Sequence, residues 1–395
     1  MDAASIAKLE GDQWELILAQ TTVYRLTSRY QDCWDAAMAG LKICPFYANT
    51  LFYFEIGIVA FYLQKFKEGL EALNYVMKDP YTDATNYQCC INNLKFYIQP
   101  IEGQHSTTNV RDYYSGFDKA FVGSSISYGT NGKDIITCYR VVNYKIVDGK
   151  YLVTPTPGCA PDVVHTRNFL VQGTVPWNTN VRELVCPEWM IPYPSLVRGL
   201  EDVRLFGDQM FTCISRSHNP KNIAKVCYGK YDLHGIVTFL TPVVHQEDAH
   251  EKNMLPFTLE GDPHVLNFCD GHLLVMKIDA KEGKLKQVHQ VEVPNGGRLR
   301  GSAGPIPYRD GWLFTVHEGE YDGNRKYYHR LMWLANDFSA VKRGNIFSFT
   351  NNPIEFNIGI YISPQSGEIV LGYSVNDSST HQLRITRDNP WMPDV

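Results

Sequence analysis

After Val122 the sequence repeats one pattern five times: a short polar motif, a turn, and an apolar strand that ends in polar or charged residues. The five copies occupy residues 124–140, 199–216, 251–277, 301–317 and 355–377. A spacing of about 40 to 75 residues, in sequence without a helical period, is typical of a radial array of β-sheets. Such an array brings one equivalent position from every sheet to a single axis. Polar residues that are distant in sequence can therefore share one pocket.

The first hundred residues have a different period and predict α-helices. Within Asn49–Asp79, apolar residues recur at the i, i+3, i+4, i+7 spacing of two amphipathic helices. We place the turn between these helices at Lys65 and Phe66. The pattern resembles a tetratricopeptide repeat, with a weaker copy before it and a third helix from about Thr85 to Ile98. The positions that resemble the repeat are Gly57, Tyr62, Phe66, Ala72 and Pro80.

The period changes to two from Val110 onward, where Gly, Pro, Asn and Asp separate short aromatic or β-branched runs. The polar segment 103–112 between the two patterns is predicted to be a linker. We therefore expect an α+β multidomain chain. Residues 1–105 form a helical repeat domain of the tetratricopeptide type, and residues 110–395 form an all-β five-bladed β-propeller.

Composition limits the classes of partner and the compartment. A net charge of −5 over 395 residues gives no electrostatic footprint for nucleic acid. No apolar run approaches the roughly 18 residues of a membrane span, and the polar start of the sequence argues against a secretory signal. Ten cysteines without zinc-type spacing are typical of free thiols in a reducing compartment. We expect a cytoplasmic protein without a metal or cofactor.

The second repeat contains the segment whose residue types best suit catalysis, Glu201-Asp202-Val203-Arg204. Adjacent residues on a strand face opposite sides, so we expect only one of the two acids to point at the axis. Asp202 and Arg204 share a face, and the arginine is predicted to orient the carboxylate. An acid at the mouth of a cavity suits glycosyl transfer, which needs proton transfer at the glycosidic oxygen. A blade-stabilising ion pair is the alternative.

The other repeats place further polar residues in corresponding positions. These polar residues include Lys252. The candidate substrate-binding residues are Arg140, Glu201, Arg204, Asn253, Ser302, His317, Glu355 and Asp377. Several fixed hydrogen-bonding groups suit a sugar, and the cations also suit a phosphate.

The β half of the chain resembles glycoside hydrolase family 130, which contains β-mannoside phosphorylases and is related to β-1,2-mannosyltransferases. The resemblance lies in the segments GLEDVRLF, EKNMLPF, GSAGPIPYRDGWLFTVHE and IEFNIGIYISPQSGEIVLGYSVND. It implies a five-bladed propeller and an inverting reaction in which Asp202 is the general acid. Glu201 and Arg204 match neighbours in the same motif. Lys252, His317, Asp377 and Arg140 also match family positions, and the resemblance implies that Lys252 helps to bind phosphate.

The sequence departs from the family where phosphorylases usually have a His-Arg pair, because Met276 and Lys277 stand there. Met254 also replaces a common tryptophan. These departures weaken the case for inorganic phosphate as acceptor, although Arg167, Lys277 and Arg300 can support a phosphate or a nucleotide diphosphate together with Lys252.

The predicted function is transfer of a mannosyl-like sugar with inversion, by a glycosyltransferase or a phosphorylase. The expected partners are a sugar phosphate or sugar nucleotide and an oligosaccharide acceptor. The short helical array is either a surface for a protein partner or a packing appendage of the second domain. Hydrolysis would need a further carboxylate as base, for which Glu355 and Asp377 are the candidates. The rival hypothesis is a non-catalytic propeller and repeat scaffold that binds glycans or proteins.

Overall fold

The computed structural model describes residues 3–98, 100–113, 118–130, 134–147, 150–157, 160–173, 181–190, 197–214, 223–294, 296–320, 326–352 and 354–395. The chain divides into two compact units. The first contains residues 1–99 and 293–295, and the second contains residues 100–292 and 296–395.

The N-terminal region contains five helices. They are α1 (Ala3–Leu26), α2 (Tyr30–Gly40), α3 (Asn49–Val59), α4 (Phe66–Lys78) and α5 (Ala84–Leu94). α3 and α4 approach closely at Gly57, where an added Cβ would lie 2.6 Å from Leu73 Cδ2. Phe66 is the first residue of α4 and so lies outside the turn where the sequence placed it. None of the helices among the described residues is long and apolar enough to cross a membrane.

The remaining chain forms five four-stranded antiparallel blades, as the repeats predicted. Blade one contains β2 (Val122–Thr130), β3 (Ile135–Val142), β6 (Val164–Gln172) and β7 (Val181–Glu183), with β8 (Val197–Arg198) beside β6. Blade two contains β9 (Glu201–Phe206), β10 (Gln209–Ile214), β11 (Lys225–Tyr231) and β12 (Val237–Val243). Blade three contains β13 (Leu255–Leu259), β14 (Asp262–Cys269), β15 (His272–Asp279) and β16 (Lys284–Glu292).

Blade four contains β17 (Arg300–Tyr308), β18 (Gly311–Glu320), β19 (Lys326–Ala335) and β20 (Val341–Phe347). Blade five contains β21 (Glu355–Ile362), β22 (Ile369–Val375), β23 (Ser379–Ile385) and β1 (Gln104–Thr108). A separate hairpin of β4 (Tyr144–Val147) and β5 (Lys150–Val153) follows β3.

The blades close into a ring through their innermost strands. The innermost strand of each blade contacts its neighbours in the cyclic order β2, β9, β13, β17, β21 and again β2. β1 pairs with β23 along its whole length, so the first strand of the chain completes the last blade. The segment predicted as a linker therefore contributes a blade strand.

The apolar cores lie between neighbouring blades. Phe211 of blade two packs in one cluster with Val265 and Met276 of blade three. Leu313 of blade four and Leu371 of blade five belong to another such cluster. This packing explains why the central strands are almost continuously apolar, since both of their faces are buried.

Four of the five innermost strands have an irregularity near their starts. The pairing register shifts between Gly123 and Ser125 in blade one, across Asp202 in blade two, between Gly301 and Ala303 in blade four and between Asn357 and Gly359 in blade five. A β-bulge of this kind breaks the alternation of side chains and redirects a residue. Strand periodicity does not predict these bulges.

Candidate active site

Polar side chains from four blades meet at the end of the ring where the innermost strands begin. We call Arg140, Tyr144, Glu201, Asp202, Lys252 and Asp377 the axial cluster. In each blade the first strand starts at this end and the second strand returns to it. Arg140 near the end of β3 and Asp377 just after β22 therefore come to the same level as Asp202.

Arg140 is the central cation of the cluster. Its Nη1 donates a hydrogen bond of 2.9 Å to Asp202 Oδ1, and its Nη2 lies 3.8 Å from Glu201 Oε1. The Arg140 side chain is only 9% exposed. Burial opposes its charge, but Tyr144 and the carboxylates of Asp202 and Glu201 keep the pKa of Arg140 above its ordinary value.

Both acids of the second repeat reach the same guanidinium, which contradicts the expectation that they face opposite sides. Asp202 has a φ of +49° and lies within the register shift of β9. A non-glycine residue in this left-handed region is uncommon and costs conformational energy. The irregular backbone turns both Glu201 and Asp202 toward Arg140.

The sequence predicted that Arg204 binds the Asp202 carboxylate, but the structure shows other partners for Arg204. Its Nε donates to the carbonyl oxygen of Ser302 at 3.2 Å, and its Nη1 donates to the carbonyl oxygen of Asp202 at 3.3 Å. The residue is 5% exposed. The arginine that orients Asp202 comes from another blade because the bulge separates the side chains of Asp202 and Arg204.

Asp377 adds a carboxylate with different properties. Tyr144 donates a hydrogen bond to Asp377 Oδ2 at 3.3 Å. Burial raises the pKa of Asp377, Arg140 acts in the opposite direction, and the negative charge of Asp202 raises it further. Two acids in different surroundings are the arrangement from which acid and base roles arise.

Lys252 supplies the second cation. Desolvation opposes its charge, yet its pKa is raised by Cys213 and then by the carboxylates of Glu201 and Asp202. The neighbouring Cys213 is a buried thiol whose pKa burial raises to about 12. Asn253 follows Lys252 at the same end with a φ of +59°.

Ser302 and His317 form a buried pair in blade four, beside the cluster. Ser302 Oγ lies 2.8 Å from His317 Nδ1. Burial, with a further effect from His329, holds the pKa of His317 well below its ordinary value, so the imidazole is neutral. Arg300 is paired with His317 across the strands and is exposed, and its Nη1 donates to the carbonyl oxygen of Leu299.

Glu355 has a structural role in place of the predicted substrate contact or base. It is fully buried and accepts hydrogen bonds from the backbone N–H groups of Phe349, Thr350 and Asn352. Because these donors use its oxygens, the side chain stabilises the loop that leads into β21.

Two predicted phosphate contacts form ion pairs with acids outside the axial cluster. Arg167 makes two hydrogen bonds of 2.7 Å to Glu183 in blade one. Lys277 forms an ion pair with Asp262 at the opposite end of blade three. Lys277 lies near the end of β15, the third strand of its blade, which runs away from the cluster.

Tyr144 is a member of the cluster that was not among the predicted site residues. The signal was present, because Tyr144 follows Arg140 by four residues at the end of the first hairpin. Its hydroxyl could be assigned to Asp377 only after the two blades were brought together. Within the described parts of the chain, no group of three or more His, Cys, Asp or Glu side chains is arranged to bind a metal ion.

No protein-family model matches the chain, and no curated protein sequence matches it. Among solved structures, it is similar to a β-1,2-mannobiose phosphorylase from Listeria innocua in complex with β-1,2-mannobiose. That similarity has 11% identity and a TM-score of 0.46, and covers 72% of this chain and 97% of the phosphorylase.

Two proteins from Leishmania mexicana are also similar. A mannose phosphorylase in complex with phosphate has 13% identity and a TM-score of 0.43, with 77% of this chain and 93% of that one covered. A GDP-Man-dependent mannosyltransferase has 12% identity and a TM-score of 0.43, with 67% and 85% covered. The chain is thus structurally similar to carbohydrate-active propeller proteins, and values this low assign no activity to it.

Proposed function

We propose that the chain is a carbohydrate-active enzyme that transfers a mannosyl-like sugar with inversion, as a glycosyltransferase or a phosphorylase. The axial cluster is the observation that supports this proposal. It combines two cations with carboxylates from two blades at one end of a ring. A sugar needs several fixed donors and acceptors, and glycosyl transfer needs a carboxyl group that exchanges a proton with an oxygen.

In the direction of synthesis, the acceptor hydroxyl forms the new bond to the anomeric carbon while the bond to the donor phosphate oxygen breaks. The proton of the hydroxyl passes to Asp202, and the phosphate leaves with the bonding electrons. Arg140 fixes the position of Asp202, and Lys252 offsets the negative charge of the phosphate. In phosphorolysis the same steps run backward, with Asp202 as the acid.

Asp377 and Tyr144 complete the proposed sugar site. Asp377 accepts from Tyr144 and still has acceptor capacity, because a carboxylate offers about four lone-pair positions. We assign it to the sugar hydroxyls. Glu355 is excluded from this role by its backbone hydrogen bonds, so hydrolysis would have to use Asp377 as the base for water.

The test is a donor screen with the full chain. Mannose 1-phosphate and GDP-mannose are each offered with mannose or manno-oligosaccharides, and the anomeric configuration of the product is read by NMR. We expect transfer from one donor with inverted configuration. Asp202→Asn should abolish it, while Asp208→Asn, an exposed acid in the turn after β9, should leave it intact. Equal rates for wild type and Asp202→Asn would remove Asp202 from the mechanism.

The alternative is a scaffold that binds glycans or proteins without turnover. The helical unit offers one observation in its favour: a cavity of about 310 Å³ lined by Trp34, Tyr53, Tyr75, Glu68 and Glu71. Aromatic and acidic walls suit a basic peptide segment. Saturable binding of manno-oligosaccharides without turnover of either donor would favour this alternative over the enzyme.

A further inference from the structure

The propeller has a cavity at the end of the ring opposite the axial cluster. It has a volume of about 460 Å³, and all five innermost strands contribute to its wall. The contributing residues belong to the later parts of these strands, whereas the axial cluster lies at their beginnings. In β9, for example, Asp202 is the second residue and Phe206, which lines the cavity, is the last.

The wall of this distal cavity is mostly apolar. Its aromatic residues include Tyr128, Phe257, Trp312 and Tyr361, and isoleucine and proline side chains fill the spaces between them. Cavities of about 300–1,000 Å³ with apolar walls and a few polar groups are typical small-molecule sites. An apolar ligand body suits such a wall, because its burial is favourable in proportion to area.

Three buried polar atoms at this cavity have no hydrogen-bond partner among the described residues, and one of them, the Tyr128 hydroxyl, can donate or accept while the other two only donate. Arg204 lines the cavity, and Arg204 Nη2 is buried without a hydrogen-bond partner among the described residues. Trp312 Nε1, in the same wall, has the same status. A buried donor without an acceptor is costly, and a ligand that supplies acceptor atoms removes that cost.

The charge of Arg204 makes an anionic acceptor preferable to a neutral one. Its two assigned hydrogen bonds go to uncharged carbonyl oxygens of Asp202 and Ser302. The nearest carboxylate, that of Asp202, accepts from Arg140 instead. Burial correspondingly lowers the pKa of Arg204. Guanidinium and carboxylate form strong, geometrically matched hydrogen bonds.

We propose that this distal cavity binds a small apolar carboxylate, with its carboxylate on Arg204 and its apolar part against the aromatic wall. The aromatic wall of this site lies apart from the axial cluster, and Arg204 hydrogen-bonds Asp202 through the backbone carbonyl oxygen, not through the carboxylate of the proposed reaction. The test of the carboxylate site requires no turnover and therefore does not depend on the proposed function.

Isothermal titration calorimetry of the full chain with octanoate, 1-octanol and octylammonium tests the proposal. These probes share one apolar chain and differ in charge. We expect saturable binding of octanoate, about tenfold weaker binding of 1-octanol, and none of octylammonium. No saturable binding of octanoate would overturn the proposal. Equal affinities for octanoate and octanol would overturn the role of Arg204.

Two variants locate the binding. Thr258→Trp fills the mouth of the cavity from an exposed lining position and should weaken octanoate at least about tenfold. Thr238→Trp, an exposed strand position away from the cavity, is the matched control and should leave the affinity unchanged. Arg204→Met should remove the preference for octanoate over octanol if it folds. Unchanged binding in Thr258→Trp would place octanoate elsewhere and contradict the proposal.

Discussion

Asp202 in blade two and Glu355 in blade five are acids at the starts of two innermost strands, and they have opposite surroundings. Glu355 is fully buried and accepts three backbone N–H hydrogen bonds. The side chain of Asp202 is 18% exposed, and Arg140 is its one partner among the described residues. Similar positions in the repeat thus contain one acid whose oxygens are used by the fold and one that remains available to a ligand.

Blade three shows that the first arrangement recurs. Glu251 is buried and accepts from the backbone N–H groups of His245 and Gln246 and from Lys225 Nζ. Like Glu355, it fastens the loop that enters its blade. An acid at the start of a blade is therefore insufficient as a mark of the active site. The absence of backbone donors around its oxygens is the more useful criterion.

The largest expected effect is on activity in Asp202→Asn. Removing a group that transfers a proton typically costs about 10²–10⁴-fold, so the rate with the donor that supports transfer should fall by at least about 100-fold. Stability in urea should remain close to that of wild type, because Glu201 and Asp377 still offset the charge of Arg140. A large loss of stability with full residual activity would mean that Asp202, like Glu355, has a structural role.

Glu355→Gln should have the opposite profile. Its amide group would face backbone donors, and leaving these unpaired should lower the free energy of unfolding by about 3 kcal/mol. Urea unfolding measures this loss. Glu251→Gln should behave similarly, while Glu260→Gln, at an exposed turn, should be neutral. If Glu355→Gln retained full stability but lost activity, Glu355 would belong to the active site.

Arg140→Lys should reduce activity about tenfold, or about 1.4 kcal/mol in the barrier. A lysine has one charged nitrogen and cannot span the Asp202 and Glu201 carboxylates as the planar guanidinium does. Initial rates provide the measurement, and Arg384→Lys in the blade-five ion pair with Glu368 is the control. Unchanged kinetics would mean that Asp202 needs no orienting cation.

The smallest effect is expected for stability in Asp377→Asn. Because the folded pKa of Asp377 is raised above the ordinary 3.8, the folded state keeps its proton longer as pH rises. Its stabilising contribution is full below pH 3.8 and is lost as the pH rises through the raised value. Asp377→Asn should therefore be more stable than wild type at pH 8, by less than about 1 kcal/mol. Urea unfolding at pH 4 and pH 8 measures the difference, and a variant less stable at pH 8 would contradict it.

The sequence predicted the fold well because repeated periodicity is a local property. Alternating apolar runs at regular spacing identified the five blades, and amphipathic stripes identified the helices. The exception within the repeats is blade three, where Lys277, predicted as a phosphate contact, lies in the third strand, β15, at the end opposite the cluster. Prediction of strand order depends on counting every strand, because successive strands run in opposite directions.

The sequence by itself determined the level of each side chain along the axis, since the ends of first hairpins return to the starts of the innermost strands. It thereby identified Arg140, Asp202, Lys252 and Asp377 as candidates for one site. Only the tertiary structure decided which partner each group has. Arg140 in place of Arg204 binds Asp202, and Glu355 faces its own loop, because bulges and left-handed backbone angles redirect side chains in ways that strand periodicity does not encode.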